Sequence, residues 1–169
     1  MSREGALTVM IVVAVLLLAV LAWAWWRRSR RDGAPLVAPG ELPQGAAVVA
    51  SFDGFYVATT HHDQPLERIA APGLAMRSKV SVTVADAGVA LDLTGQPRYV
   101  IARDAITGVG QSTVAIDRVV EKDGLTRISW RALTGDVVDT YLRPQGASAR
   151  ALTDAVAGII PQTATGTEA

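Results

Sequence analysis

Residues 79–93, KVSVTVADAGVALDL, decide the fold class of this chain. Val80, Val82 and Val84 alternate with Lys79, Ser81 and Thr83. This period of two puts one face of a strand in a core and the other in water. Asp86-Ala87-Gly88 interrupts the pattern with turn-forming residues, and Val89, Leu91 and Leu93 then resume it against Ala90 and Asp92. The stretch is a β-hairpin.

The same punctuation repeats on both sides. Thr94-Gly95-Gln96-Pro97 separates the hairpin from a strand at 98–102, and Lys122-Asp123-Gly124 lies between strands expected at 115–121 and 125–133. Within the last of these, Ile128, Trp130 and Ala132 share one face, which makes Trp130 a core residue, while Arg127 and Arg131 line a solvated face. Thr134-Gly135-Asp136 leads into 137–143, and upstream 47–59 reads as one strand or as a strand broken near Asp53-Gly54. The final element changes period. Leu152, Val156 and Ile159/Ile160 fall at helical spacing within 148–160, and Pro161 ends the run. Six or seven short strands followed by one amphipathic helix predict a mainly-β soluble domain, an antiparallel barrel or sandwich over 46–160. Residues 161–169 read as a disordered tail.

Ahead of the domain, residues 6–26 carry no charge, glycine or proline. As a helix they would extend about 30 Å, the thickness of a bilayer's hydrocarbon core, so a transmembrane α-helix is expected there. Trp23, Trp25 and Trp26 gather at its C-terminal end, where indole rings favour the headgroup level. Arg27, Arg28, Arg30 and Arg31 follow at once in a basic flank, 27–31. A cleaved signal peptide would carry its basic cluster before the apolar run and a small-x-small site after it, so the anchor reads as retained. The positive-inside rule puts residues 1–5 outside and the domain in the cytoplasm, on the inner side of the plasma membrane. Residues 32–45, with Pro35, Pro39 and Pro43 among three glycines, read as an extended linker.

The chain has 169 residues with 16 basic and 16 acidic side chains, but this balance conceals two parts. Residues 1–31 hold five arginines against Glu4, a net of +4, and the remaining 11 basic and 15 acidic residues give −4. A basic run joined directly to an apolar helix reads as a membrane flank in contact with an anionic leaflet, not as a nucleic-acid site. The absence of cysteine excludes a disulfide framework, a zinc ribbon and a thiol nucleophile.

The order of elements is similar to the pleckstrin-homology (PH) superfold. Arg98-Tyr99-Val100-Ile101-Ala102, Asp104-Ala105-Ile106-Thr107-Gly108-Val109, and the closing pair Thr140-Tyr141-Leu142-Arg143 and Leu152-Thr153-Asp154-Ala155-Val156 resemble bacterial PH-like domains. One span, a basic flank, a proline-rich linker and such a domain together resemble a group of small actinobacterial single-span membrane proteins, often labelled as export, transporter or membrane proteins. The resemblance implies a shape more than an activity, because PH-like folds serve many roles.

No residue set emerges as catalytic, cofactor-binding or metal-binding. Phosphoinositide-binding PH domains use several cations in the first strand–loop–strand, whereas residues 51–63 contain no Lys or Arg. His61-His62-Asp63 is the one histidine cluster, but neighbours on a strand point to opposite faces, so it reads as a solvated loop and not as a metal site. Ser51, His61 and Asp63 have the residue types of a hydrolytic triad without a nucleophile elbow. Gly108-Val109-Gly110-Gln111-Ser112-Thr113 lacks the Gly-Lys-Ser/Thr ending of a phosphate loop and reads as a turn or bulge between strands. The expectation is a non-enzymatic, membrane-anchored module that presents a cytoplasmic domain to a protein partner. The alternatives are an accessory subunit of a transport or export system and, third, a lipid- or small-ligand-binding module.

Overall fold

The computed structural model describes residues 3–32, 34–115, 118–119 and 124–160, with backbone alone at 3, 4, 6, 28–32, 114–115 and 118–119. It has two compact units, Met1–Ala34 and Pro35–Ala169. The first is a single helix, α1 (Arg3–Asp32), so helical backbone continues through the basic flank and does not stop at the last tryptophan. Within it, Leu7–Arg27 is long and apolar enough to cross a bilayer, and its large apolar side chains are exposed. The Arg27 guanidinium carbon sits 5.5 Å from the centroid of the Trp23 ring, one turn back, which packs the flank's first cation on an indole face. The side chains of Arg28, Arg30 and Arg31 lie outside the described residues, as does the expected tail at 161–169.

The second unit is built from β1 (Val48–His61), β2 (Ser78–Ala85), β3 (Gly88–Leu93), β4 (Tyr99–Ala102), β5 (Ile106–Ser112), β6 (Val114–Ala115), β7 (Arg118–Val119), β8 (Leu125–Arg131), β9 (Val137–Pro144) and α2 (Ala149–Ile159). Seven strands form one antiparallel sheet in the order β4-β3-β2-β1-β9-β8-β5, and β6 pairs with β7 as a separate two-stranded hairpin. The sheet is open: its ends, β4 and β5, are not partners of each other, so the antiparallel barrel or sandwich expected takes the form of an open seven-stranded sheet.

β1 organises the sheet. Its first part, from Val48 to Tyr56, pairs with β2, and its second part, from Gly54 to His61, pairs with β9. The transfer occurs where Asp53-Gly54 suggested a break. The strand does not break there because Gly54 lets β9 approach: a Cβ at this position would run into the Arg143 carbonyl and the Pro144 Cα. A bulge between Tyr56 and Ala58 then adds the twist that turns the second half of the sheet away from the first.

The hairpin read from 79–93 is present, with Val82 opposite Leu91 and Val84 opposite Val89, all four buried. They share one core with Tyr56, Ile101, Ile128, Trp130, Leu142 and the α2 residues Leu152, Val156 and Ile159. Helix α2 starts at Ser148, whose Oγ accepts a hydrogen bond from the Ala151 amide at 3.1 Å and satisfies one of the unpaired first-turn donors.

Two expectations change. The segment containing Gly108 and Gly110 is not a turn but part of β5, pairing with β8 from Ile106 to Ser112, with a bulge between Ile106 and Gly108. Absent side chains blur period-two alternation, so this strand carried little sequence signal. Of the strand expected at 115–121, the described residues fall in β6 and β7, and residues 116–117 and 120–121 lie outside the described residues.

The proline-rich segment, expected as an extended linker, bends at Leu36 and Val37, turns at 44–45 and is docked on the domain. Leu36 is buried in the main core, its carbonyl accepts from the Leu133 amide at 2.8 Å, and the Gly40 amide donates to the Arg98 carbonyl at 3.0 Å beside a Pro39–Tyr99 bridge.

Candidate functional site

Polar groups inside the sheet fall into two sets, and the first is structural. Trp130 Nε1 donates to Thr140 Oγ1 at 2.9 Å, and Thr140 Oγ1 lies 2.8 Å from Thr59 Oγ1. The Tyr56 hydroxyl lies 3.0 Å from Thr59 Oγ1 and 2.7 Å from the Leu74 carbonyl. Its one proton belongs on the carbonyl, which can only accept, so the chain runs from the indole through two threonines to the phenol. Burial pushes the Tyr56 hydroxyl up to about 12. Every member is consumed by a neighbour, and nothing in this set faces a ligand.

The second set lies at the end of β1 on the opposite sheet face. Thr60, Asp139 and Ser129 stand side by side on β1, β9 and β8. Asp139 is fully buried, and its carboxylate is fully engaged. Oδ1 accepts from Ser129 Oγ at 2.6 Å and lies 3.0 Å from His62 Nδ1; Oδ2 accepts from the Asp63 amide at 3.1 Å. Arg127 Nη1 approaches Asp63 Oδ1 at 3.5 Å and Asp139 Oδ2 at 3.9 Å. Burial pushes the Asp139 carboxyl up, but hydrogen bonds from Ser129, His62 and the Asp63 amide outweigh it and hold the group below the ordinary carboxylate range. Burial and the Asp139 charge raise the neighbouring Tyr141 hydroxyl, which packs with Leu125 and Val57.

This geometry tests the candidate chemistries. His61 and His62 diverge: His61 ends β1 opposite Val138, while His62, in the turn that follows, bonds Asp139. Ser51 lies ten residues along β1 from His61, opposite Thr83, so the residues of the triad reading do not meet. Ser129, the hydroxyl that does join the cluster, bonds the carboxylate and not the imidazole, so the contact gives no nucleophile–base pair. His62, Asp63 and Asp139 bring three possible metal-ligand atoms within 4.8 Å of one another. The two carboxylates, however, lie against opposite ring nitrogens, Asp139 at Nδ1 and Asp63 at Nε2 (3.4 Å), and Arg127 adds a cation beside both. A metal accepts only one of those nitrogens, so the cluster works instead as an ion-pair and hydrogen-bond clasp fastening the β1–β2 loop to β8 and β9.

Sequence reasoning missed Asp139, Ser129 and the role of Arg127, which is not simply solvated. The available signal was a carboxylate in mid-strand, Val137-Val138-Asp139-Thr140. Trp23, Trp25 and Trp26 all lie on the exposed surface of α1, at the end of the apolar stretch that Arg27 closes.

Comparison with known proteins bears on the second unit. No curated protein sequence matches the chain. Among solved structures it is similar to the C-terminal domain of an unknown protein from Leishmania infantum, with 10% identity and a TM-score of 0.44 over 68% of this chain and 84% of that one. It is also similar to a chain of the 8S snRNP assembly intermediate, with 12% identity and a TM-score of 0.45 over 79% of this chain and 97% of that one. Neither likeness bears on function. The family model described as bacterial PH domain-like matches residues 34–157, which includes the docked proline-rich segment, every strand and most of α2. The chain therefore belongs to the bacterial PH domain-like family.

Proposed function

We propose that this protein is a membrane-anchored, non-enzymatic module that presents its PH-like domain to a protein partner at the inner leaflet. The observation that carries the reading is the direct joining of two parts: a helix long and apolar enough to span a bilayer, and a family-defined domain whose first buried residue, Leu36, lies four residues after Asp32. A domain held at a membrane meets other membrane-bound proteins at raised effective concentration, so weak contacts suffice. The arginines of the basic flank favour an orientation with the N-terminus outside and the domain in the cytoplasm. They also match anionic lipid headgroups, each contributing about 1 kcal/mol near the surface.

A protein partner is favoured over lipid recognition by the domain because residues 32–169 carry a net −4, which an anionic leaflet repels. The non-enzymatic reading is supported by the clasp at Asp139, where each polar group is held by a structural neighbour. In-cell photo-cross-linking from the domain surface tests the proposal. Discrete protein adducts that vanish when residues 46–160 are removed are expected. Adducts only with lipid, or with abundant proteins in proportion to their abundance, would refute it.

A further inference from the structure

Residues 35–46 are held to the sheet by few contacts, and these contacts are of a different kind from those within it. Pro35, Ala38, Pro39, Gly40 and Glu41 are exposed, Leu36 is buried in the core, and Val37 is partly buried against it. Two backbone hydrogen bonds tie the segment to distant residues, Leu133 N to Leu36 O and Gly40 N to Arg98 O. Pro39, beside Tyr99, has no amide with which to extend the ladder. An ion pair completes the attachment: Arg98 grips Asp92 with two bonds, Nε to Oδ1 at 2.7 Å and Nη2 to Oδ2 at 3.0 Å, and reaches Glu41 Oε2 with Nη1 at 2.7 Å. Tyr99, the bridge partner of Pro39, also packs on Gly73, where its hydroxyl occupies the space that a side chain would need. At the far end the Ala47–Asp86 hydrogen bonds anchor the start of β1 without any residue of the segment before Ala47.

We infer that residues 35–46 form a latch, closed by Leu36 and by the Glu41–Arg98 pair, which opens while the sheet stays folded and so changes the length of chain joining α1 to the domain. Closed, the chain from Asp32 to the Leu36 anchor extends at most about 14 Å; open, the chain from Asp32 to Ala47 extends up to about 50 Å. Segments with few buried apolar contacts and exposed hydrogen bonds are the ones that open below the global unfolding free energy. The latch rests on the domain's own contacts, whereas its use as a control of reach from a bilayer rests on the anchoring proposed above.

Amide hydrogen exchange on the full chain in detergent micelles tests the latch without depending on the anchoring. The Gly40 and Leu133 amides should exchange together and sooner than the paired amides of β1 and β9. Leu36→Ala should accelerate those two by at least about tenfold while leaving β1 and β9 unchanged. Glu41→Gln, which leaves the core intact, should accelerate Gly40 about threefold, as should added salt. Uniform acceleration or global unfolding in Leu36→Ala would overturn the inference, because the segment would then be inseparable from the core. Unprotected Gly40 and Leu133 amides in the unaltered protein would overturn it as well, and so would a Glu41→Gln protein indistinguishable from it. Failure of the chain to partition into membranes would refute the anchoring alone.

Discussion

Asp139 concentrates the electrostatics of the domain in one side chain. It is buried with the Arg127 cation 3.9 Å from Oδ2, and three closer donors compensate: the Ser129 hydroxyl, the His62 ring and the Asp63 amide. A carboxyl held below its unfolded value of about 3.9 contributes stability that is complete above that pH. The contribution is lost as pH falls from there through the folded value. Urea unfolding between pH 7 and pH 3 should therefore show the unaltered domain losing stability below about pH 4. Asp139→Asn should be less stable at pH 7 by about 2 kcal/mol and show a shallower acid decline. Equal acid slopes in the two proteins would mean that the clasp does not store this energy. His62 was visible in the sequence as half of a histidine pair, but its partner lies 77 residues away, and only strand pairing brings the two together.

At the scale of elements, α2 is the clearest case of pattern becoming packing. Leu152 and Val156 are completely buried, and Ser148 caps the first turn. Leu152→Ala should lower stability by about 3 kcal/mol, whereas Ser148→Ala should lower it by about 1 kcal/mol, both measured by equilibrium unfolding. The reverse ranking would place the helix's contribution in its cap and not in its buried face. β5 shows the opposite relation. Its Thr107-Gly108-Val109-Gly110 sequence has glycines where alternation should be read, so its identity as an edge strand comes from pairing with β8 and not from its own residues. β1 lies between these cases: a strand was legible over 47–59, but its division between β2 and β9 depends on a bare Gly54 facing the Arg143 carbonyl.

For the whole molecule, the boundary between anchor and domain decides how the protein is handled. The proline-rich segment belongs to the domain through Leu36, and the family match begins at residue 34. A chain starting at residue 34 should be folded and soluble. One starting at residue 47 should be less stable, because the site Leu36 fills opens to water and the Leu133 amide and Arg98 carbonyl lose their partners, as read from thermal or urea unfolding. Equal stability of the two would show that the segment contributes nothing to the fold. Orientation is a matter for a C-terminal reporter fusion. A cytoplasmic reporter should be active there, and activity of a periplasmic one would reverse the proposed topology.

The sequence by itself determined the apolar helix, its arginine flank, the hairpin at 79–93, the turns between most strands and the amphipathic closing helix. Each of these is written in a local period of hydrophobicity or a run of charge, which neighbouring residues set without reference to the rest of the chain. Only the tertiary structure decided that the sheet is open, that β1 serves two sets of partners, that the proline-rich segment is docked, and that His62, Asp63, Arg127, Ser129 and Asp139 meet. These are properties of pairs distant in sequence. A side chain's period says which way it faces, but not what it will find there.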